Sequence, residues 1–233
     1  YFWEAHRADF LRETEAVLKE RGNSGESVAY IAAYLYQISE HDRCIEIMLA
    51  AHRKELLNDT HIGTLVGYLQ GKNRWEESVP LLEGLVERMP NSLGYRVNLI
   101  HSYFKVNRKE LMMKQLAATD EYFHKENRWT ENAMFQLAHV CGQCELWPRC
   151  AEYYSNAIME RRRTNPMTTA GDGTLSNYYS YQSEAFLRQG KSREAVDAAA
   201  SGIVCWGRNQ SSRNAAVSTL VSVLNRIEDR DAY

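Results

Sequence analysis

Residues 59–92 read DTHIGTLVGYLQGKNRWEESVPLLEGLVERMPNS, and this stretch decides the fold. Its apolar residues recur every three or four positions, the spacing that lines one face of a helix. Leu65, Val66 and Leu69 make one stripe, and Trp75, Leu82 and Leu85 make a second. Between them Gly71-Lys72-Asn73 marks a turn, since Gly and Asn tolerate the backbone that a tight reversal demands. Pro90 and Asn91 close the second helix. Two short helices joined this way cannot bury their apolar faces alone, so a neighbouring pair must cover them.

The same register returns along the chain. Counted from Gly25, the matching places hold Ile31, Ala32, Leu35, Cys44, Met48 and Ala51; counted from Leu93 they hold Leu99, Ile100, Tyr103, Met112, Leu116 and Thr119. The turn residues Asn73 and Asn107 lie 34 positions apart, each followed by Arg. After four extra residues the pattern restarts at Glu131, with Leu137, Ala138, Cys141, Trp147, Cys150, Tyr154 and Ala157. A fifth unit begins near Ser176 and carries Phe186, Gly190, Ala195 and Ala199. Residues 1–20 read as a second helix without its first, and residues 211–226 as a first helix.

On these residues the chain resembles the tetratricopeptide repeat, whose unit fixes large apolar, small and Pro positions. Ile62, Leu65, Leu69, Trp75, Leu82 and Pro90 fall on that pattern, with Ser78 as the small residue. The resemblance implies an all-α fold, a right-handed α-solenoid of about five helix pairs plus a half-unit at each end. The expected units lie near 25–58, 59–92, 93–130, 131–175 and 176–210, flanked by half-units 1–24 and 211–233 in a single domain. Val66 and Ile100 are bulky where the family has small residues, Arg96 holds an apolar place, and Gln182 replaces a Leu. Pro80 inside the second helix of its unit is expected to cost a hydrogen bond and bend that helix.

Composition narrows the function. With 28 Lys+Arg against 30 Asp+Glu, no field of one sign argues for nucleic acid or an acidic membrane. An apolar content of 44% supports a core, and four prolines suit long helices. No apolar run approaches a membrane span. The chain starts inside a helical pattern at Tyr1-Phe2-Trp3 and stops at Asp231-Ala232-Tyr233, so a segment of a longer protein is expected. Five cysteines (Cys44, Cys141, Cys144, Cys150 and Cys205) sit within helical patterns, which points to reduced thiols and a cytoplasmic protein. The glycosylation triplets Asn58-Asp59-Thr60 and Asn209-Gln210-Ser211 are discounted for want of a signal peptide.

Motifs for chemistry fail on inspection. Gly67-Tyr68-Leu69-Gln70-Gly71-Lys72-Asn73 lacks both the spacing and the hydroxyl of a phosphate loop. His139, Cys141, Cys144 and Cys150 approach a zinc pattern, but the register puts Cys141 and Cys150 at packing places, where Cys acts as a small hydrophobe. No paired carboxylate site or nucleophile elbow is legible, so the expectation is no enzyme, no cofactor and no metal. Thr164 to Leu175 reads as a loop, and Arg161-Arg162-Arg163 before it suits the negative end of a helix dipole.

In the family, first helices line a concave groove that holds a peptide or partner domain. The resemblance places Ala29, Ala33, Gly63 and Gly67 there, small enough for a bound backbone to approach. It also places Asn98, His101, Phe104, Lys105, Asn132, Gln136, His139, Gln143, Asn177, Tyr181, Glu184 and Arg188 on the wall as candidate partner-binding residues. Amides can pair with a peptide main chain while rings stack on its side chains. The expected function is therefore a protein–protein interaction scaffold with a protein or peptide partner, and without nucleic acid or membrane. The alternatives are an architectural segment of a longer solenoid and repeats regulating an enzymatic or DNA-binding domain outside it.

Overall fold

The structure, a computed structural model, describes residues 2–21, 24–165, 171–206 and 210–227. Residues 166–170 of the expected loop, Asn209 of the second glycosylation triplet, and Tyr1 and 228–233 at the termini lie outside the described residues. Within them the chain forms α1 (Phe2–Arg21), α2 (Gly25–Gln37), α3 (His41–Arg53), α4 (Asp59–Gly71), α5 (Trp75–Arg88) and α6 (Leu93–Lys105). There follow α7 (Lys109–Lys125), α8 (Glu131–Gln143), α9 (Trp147–Thr164), α10 (Gly173–Leu187), α11 (Ser192–Val204) and α12 (Gln210–Arg226). The expected class holds: in chain order these are five helix pairs with one further helix at either end. Two compact units divide them, residues 1–108 and residues 109–233.

One local device makes the pairs. In each turn between first and second helix, one residue enters the left-handed region: Ser39, Asn73, Asn107, Glu145 or Gly190, with φ of 66°, 59°, 58°, 59° and 73°. The next N–H reaches back to a carbonyl of the last helical turn, as Arg74 does to Leu69 and Leu146 to Cys141, at 2.9 and 2.8 Å. That is a Schellman closure, which satisfies the helix's last carbonyls. Arg74, Leu146 and Lys191 then serve at once as N-caps of α5, α9 and α11, with no side-chain capping bond. First helices start differently. Asn58, Ser92, Thr130 and Asp172 each accept a main-chain N–H three residues on, capping α4, α6, α8 and α10.

In the first unit, helices neighbouring in sequence pack on one another from α1 through α6. Leu35, Ile45, Met48, Leu65, Leu69, Leu82, Leu85, Leu99 and Ile100 are fully buried there. Burial of each such side chain stabilises by about 1.5–3 kcal/mol, which offsets the cost of ordering the helices. Bulky Val66 and Ile100 are absorbed at 2% and 0% exposure. Arg96 is also buried, and its Nε donates to the Pro90 carbonyl at 2.6 Å. Exposed Pro80 lies within α5, which continues through it to Arg88.

In the second unit α8 packs on α9, α9 on α10, α10 on α11, and α12 on both α10 and α11. Ala195, Ala198, Ala199 and Gly202 give α11 a small-residue face, which lets it lie close enough for the Ser183 hydroxyl to donate to the Ala195 carbonyl at 2.7 Å. Gln182, in place of Leu, is satisfied by Ser155 on α9 at 2.7 Å.

The segment expected as loop to Leu175 is shorter. α10 begins at Gly173 because Asp172 caps it, accepting the Leu175 N–H at 3.0 Å. Gly171 has φ of +82°, and a Cβ there would fall 2.5 Å from the Cys205 carbonyl oxygen, so this glycine is required by both backbone and space.

Candidate partner-binding face

Four of the candidate residues sit on α6 of the first unit. Asn98 and Lys105 are exposed, and His101 and Phe104 are half-buried. The His101 ring meets Trp75 edge-on at 5.2 Å, and the Lys105 ammonium lies 5.8 Å from the same indole. Trp75 thus orders both side chains, a role that its place in the repeat did not reveal. Gly63 is not open: a Cβ there would meet the Tyr95 hydroxyl at 2.7 Å. Gly67 has nothing within 4 Å of that position, so it alone of the two leaves room.

The other eight lie on α8 and α10 of the second unit, at successive turns of each helix, with Arg188 at the C-cap of α10. Asn132, His139, Gln143, Asn177, Tyr181 and Arg188 are exposed, and Gln136 and Glu184 half-buried. Gln136 donates to Asn132 at 3.3 Å. Phe135 joins the two helices, its ring 5.2 Å from Tyr178 and 6.3 Å from both His139 and Tyr181. Behind Tyr181 lies the ring of Tyr154, 5.6 Å away with planes 19° apart. Burial, and then the hydrogen bond it gives to Glu131 at 2.7 Å, push the Tyr178 hydroxyl's pKa up. Phe135 and Tyr178 were missed in the sequence, because contacts between first helices of adjacent pairs have no local signature; Tyr154 was read there only as a packing residue of its unit.

The charges beside this face are paired. Glu184 accepts from Arg226 at 2.5 Å and from Arg188 at 2.7 Å, and the Arg226 bond leads in lowering its pKa. The Arg188 guanidinium also lies 5.4 Å from the Trp147 ring. After Glu131, the residues of α8 that are not buried are Asn132, Phe135, Gln136, His139, Gly142 and Gln143, with no Lys, Arg, Asp or Glu among them. By contrast α7 exposes Lys109, Glu110, Lys114, Glu121 and Lys125.

The basic run at the end of α9 does more than complement a dipole. Arg161 grips Asp172 with two nitrogens, at 2.8 and 3.2 Å, and reaches Glu131 at 3.3 Å. Arg162 lies over Tyr179, and Arg163 pairs with Glu160. Burial raises the thiol pKa of Cys44 and Cys150 to about 12 and pushes Cys141 up further, which keeps them as thiols. No group of three or more His, Cys, Asp or Glu is placed to hold a metal among the described residues. Among those residues no helix is long and apolar enough to cross a membrane. A separate cavity of about 490 Å³ lies between α7 and α9, lined in part by Met113, Leu116, Asp120, Arg149 and Tyr153.

Solved structures of similar architecture fix the fold. A tetratricopeptide repeat protein from Parabacteroides merdae superposes with a TM-score of 0.59 at 10% identity, over 92% of this chain and 80% of that one. The chain has the tetratricopeptide-repeat fold. YrrB, a tetratricopeptide-repeat protein with an unusual peptide-binding site, is similar over 88% of this chain and 97% of its own, at 12% identity and a TM-score of 0.52. MamA from Desulfovibrio magneticus RS-1, from residue 41 to its end, matches at 0.54 and 11% identity, over 80% and 97%. No family model and no curated protein matches the sequence. In tetratricopeptide-repeat order, α4, α6, α8 and α10 are first helices, so eleven of the twelve candidate residues lie on first helices and Arg188 is the C-cap of one.

Proposed function

We propose that the chain is a protein–protein interaction scaffold that holds a peptide or partner domain on the α8–α10 face of its second unit. The observation that carries this is the exposed, charge-free row of α8, flanked by an aromatic cluster. A surface that faces only water is normally studded with charge, whereas contact surfaces lose charge and gain Tyr. Asn98, His101, Phe104 and Lys105 offer a second row on the first unit. The likeness to YrrB favours the same reading. Binding to protein, rather than to nucleic acid or membrane, fits a net charge of −2. A cytoplasmic setting fits the five free cysteines.

The test is capture of partners from native lysate by the full chain, beside a Gln136→Ala, His139→Ala, Tyr181→Ala variant. All three side chains are at least partly exposed, so circular dichroism should match the parent. A partner retained by the parent and lost by the variant is the expected result. Equal recovery by both would remove this face from the function.

A further inference from the structure

We propose that the cavity between α7 and α9 is a binding site for a small organic cation, an ammonium or guanidinium carried on an apolar body. It is built on second helices of the repeat, so it stands apart from the α8–α10 face. Its volume of about 490 Å³ is that of a small-molecule site. Leu116 and Tyr153 form a buried floor, and Met113 and Ala117 carry the apolar lining out to the exposed mouth.

The centre of the site is Asp120. Its side chain lines the cavity and is 29% exposed, yet its Oδ1 is enclosed and accepts no hydrogen bond. His124 Nδ1 stands 3.4 Å from that oxygen but donates to the main-chain carbonyl of Asp120, at 3.0 Å. The His124 ring is in turn stacked on Trp129 at 4.0 Å, which holds it in place. A carboxylate oxygen enclosed without a donor is costly, and a ligand that brings an N–H removes the cost. The last torsion of an Asp side chain is broad and two-fold, so either oxygen can turn to the cavity.

The charges select a cation. Glu121 and Lys125 lie one turn apart on α7 and cancel, and Arg149 is paired with Glu152 at 3.1 Å. With His124 neutral, three carboxylates therefore stand against two basic side chains, and the surplus falls on Asp120. Its field reaches the floor: burial first, and then the Asp120 charge, raise the pKa of the Tyr153 hydroxyl. A metal ion would need several ligands together, and no group of three is placed for one among the described residues. The apolar floor calls instead for a hydrocarbon or aromatic body behind the charge.

The probes are phenethylamine, phenethyl alcohol and phenylacetate, which share one body and differ in charge, with acetyl-lysine amide (blocked at its α-amine) as a side-chain mimic. Binding to the full chain is followed by NMR through the isotope-labelled methyl of Met113, assigned with Met113→Leu. Phenethylamine should bind at least about fivefold tighter than the alcohol, and phenylacetate should bind weakest. Asp120→Asn, its fold checked by thermal melting, should erase the preference for the amine and leave the alcohol's Kd unchanged. A lysine mimic that binds tighter than phenethylamine would support the cation site and assign it to a partner's side chain; the reverse order assigns it to a free amine. Equal binding of amine and alcohol, an Asp120→Asn chain that still prefers the amine, or a Met113 methyl that no probe shifts would each overturn the proposal. None of these results bears on the α8–α10 face.

Discussion

At the scale of single residues, the turns show the cost of a fold drawn from a repeat. Five within-pair turns need a left-handed residue, and only the last supplies it with glycine, Gly190. Asn73 and Asn107 tolerate that conformation, but Ser39 and Glu145 carry a Cβ into it at a cost of about 1–2 kcal/mol. Glycine itself loses roughly 0.5–1 kcal/mol more than Ala on ordering. The balance predicts that Glu145→Gly stabilises the chain by up to about 1 kcal/mol, and that Gly190→Glu destabilises it by a similar amount. Asn73→Gly should change little. Urea midpoints decide the matter, and a loss of stability in Glu145→Gly would sink the account.

At the scale of elements, the join between α9 and α10 is where charge holds structure. Asp172 is buried, which alone would raise its pKa, but Arg161, the Leu175 N–H and Asn165 together bring it below the usual carboxylate value. A carboxylate depressed in the folded state adds stability above its unfolded pKa, near 3.9, and loses it as pH falls through the lower folded value. Asp172→Asn can still cap α10 but leaves Arg161 with Glu131 alone, at an expected cost of about 1–3 kcal/mol at neutral pH. The melting difference between parent and variant should shrink as pH falls below about 4, as the unfolded and then, at lower pH, the folded parent's carboxylate takes up its proton. A difference constant down to pH 2 would contradict the pairing. In α5, Pro80 denies the helix one N–H, so Pro80→Ala should stabilise by roughly 1–3 kcal/mol in the same denaturation assay, and a loss would show that the ring itself packs. Of these two features the proline could be read directly, because its effect is local. The ion pair could not: Arg161 and Asp172 lie 11 residues apart across a Thr-rich stretch broken by Pro166, which gives no hint of return.

At the scale of the whole chain, what could be read from sequence was whatever repeats. The 34-residue register set which residues of α2 through α6 are buried, because Leu35, Leu69 and Tyr103 must each meet the neighbouring pair. Contacts that repeat only once escaped it, such as Tyr95 over Gly63 and Phe135 between Tyr178 and His139. They depend on how particular neighbours stack, which no single unit encodes. The candidate wall falls between these cases: the register placed Gln136, His139 and Tyr181, but the second arginine on Glu184, Arg226, emerged only with α12 in place. Serial stacking also shapes how damage spreads. In the first unit each helix packs on its neighbours in sequence, so stability is close to a sum of local interfaces. Leu82 on α5 is fully buried, and Leu82→Ala should cost about 2–5 kcal/mol. Its effect should be greatest on the helices that touch α5, namely α4 and α6, and should fade toward α1 and α2. Hydrogen exchange followed by mass spectrometry reads this directly, as faster exchange in 59–105 with 2–37 nearly unchanged. An equal rise over all six helices would mean that the unit opens as one body, and that its stability cannot be divided among its interfaces.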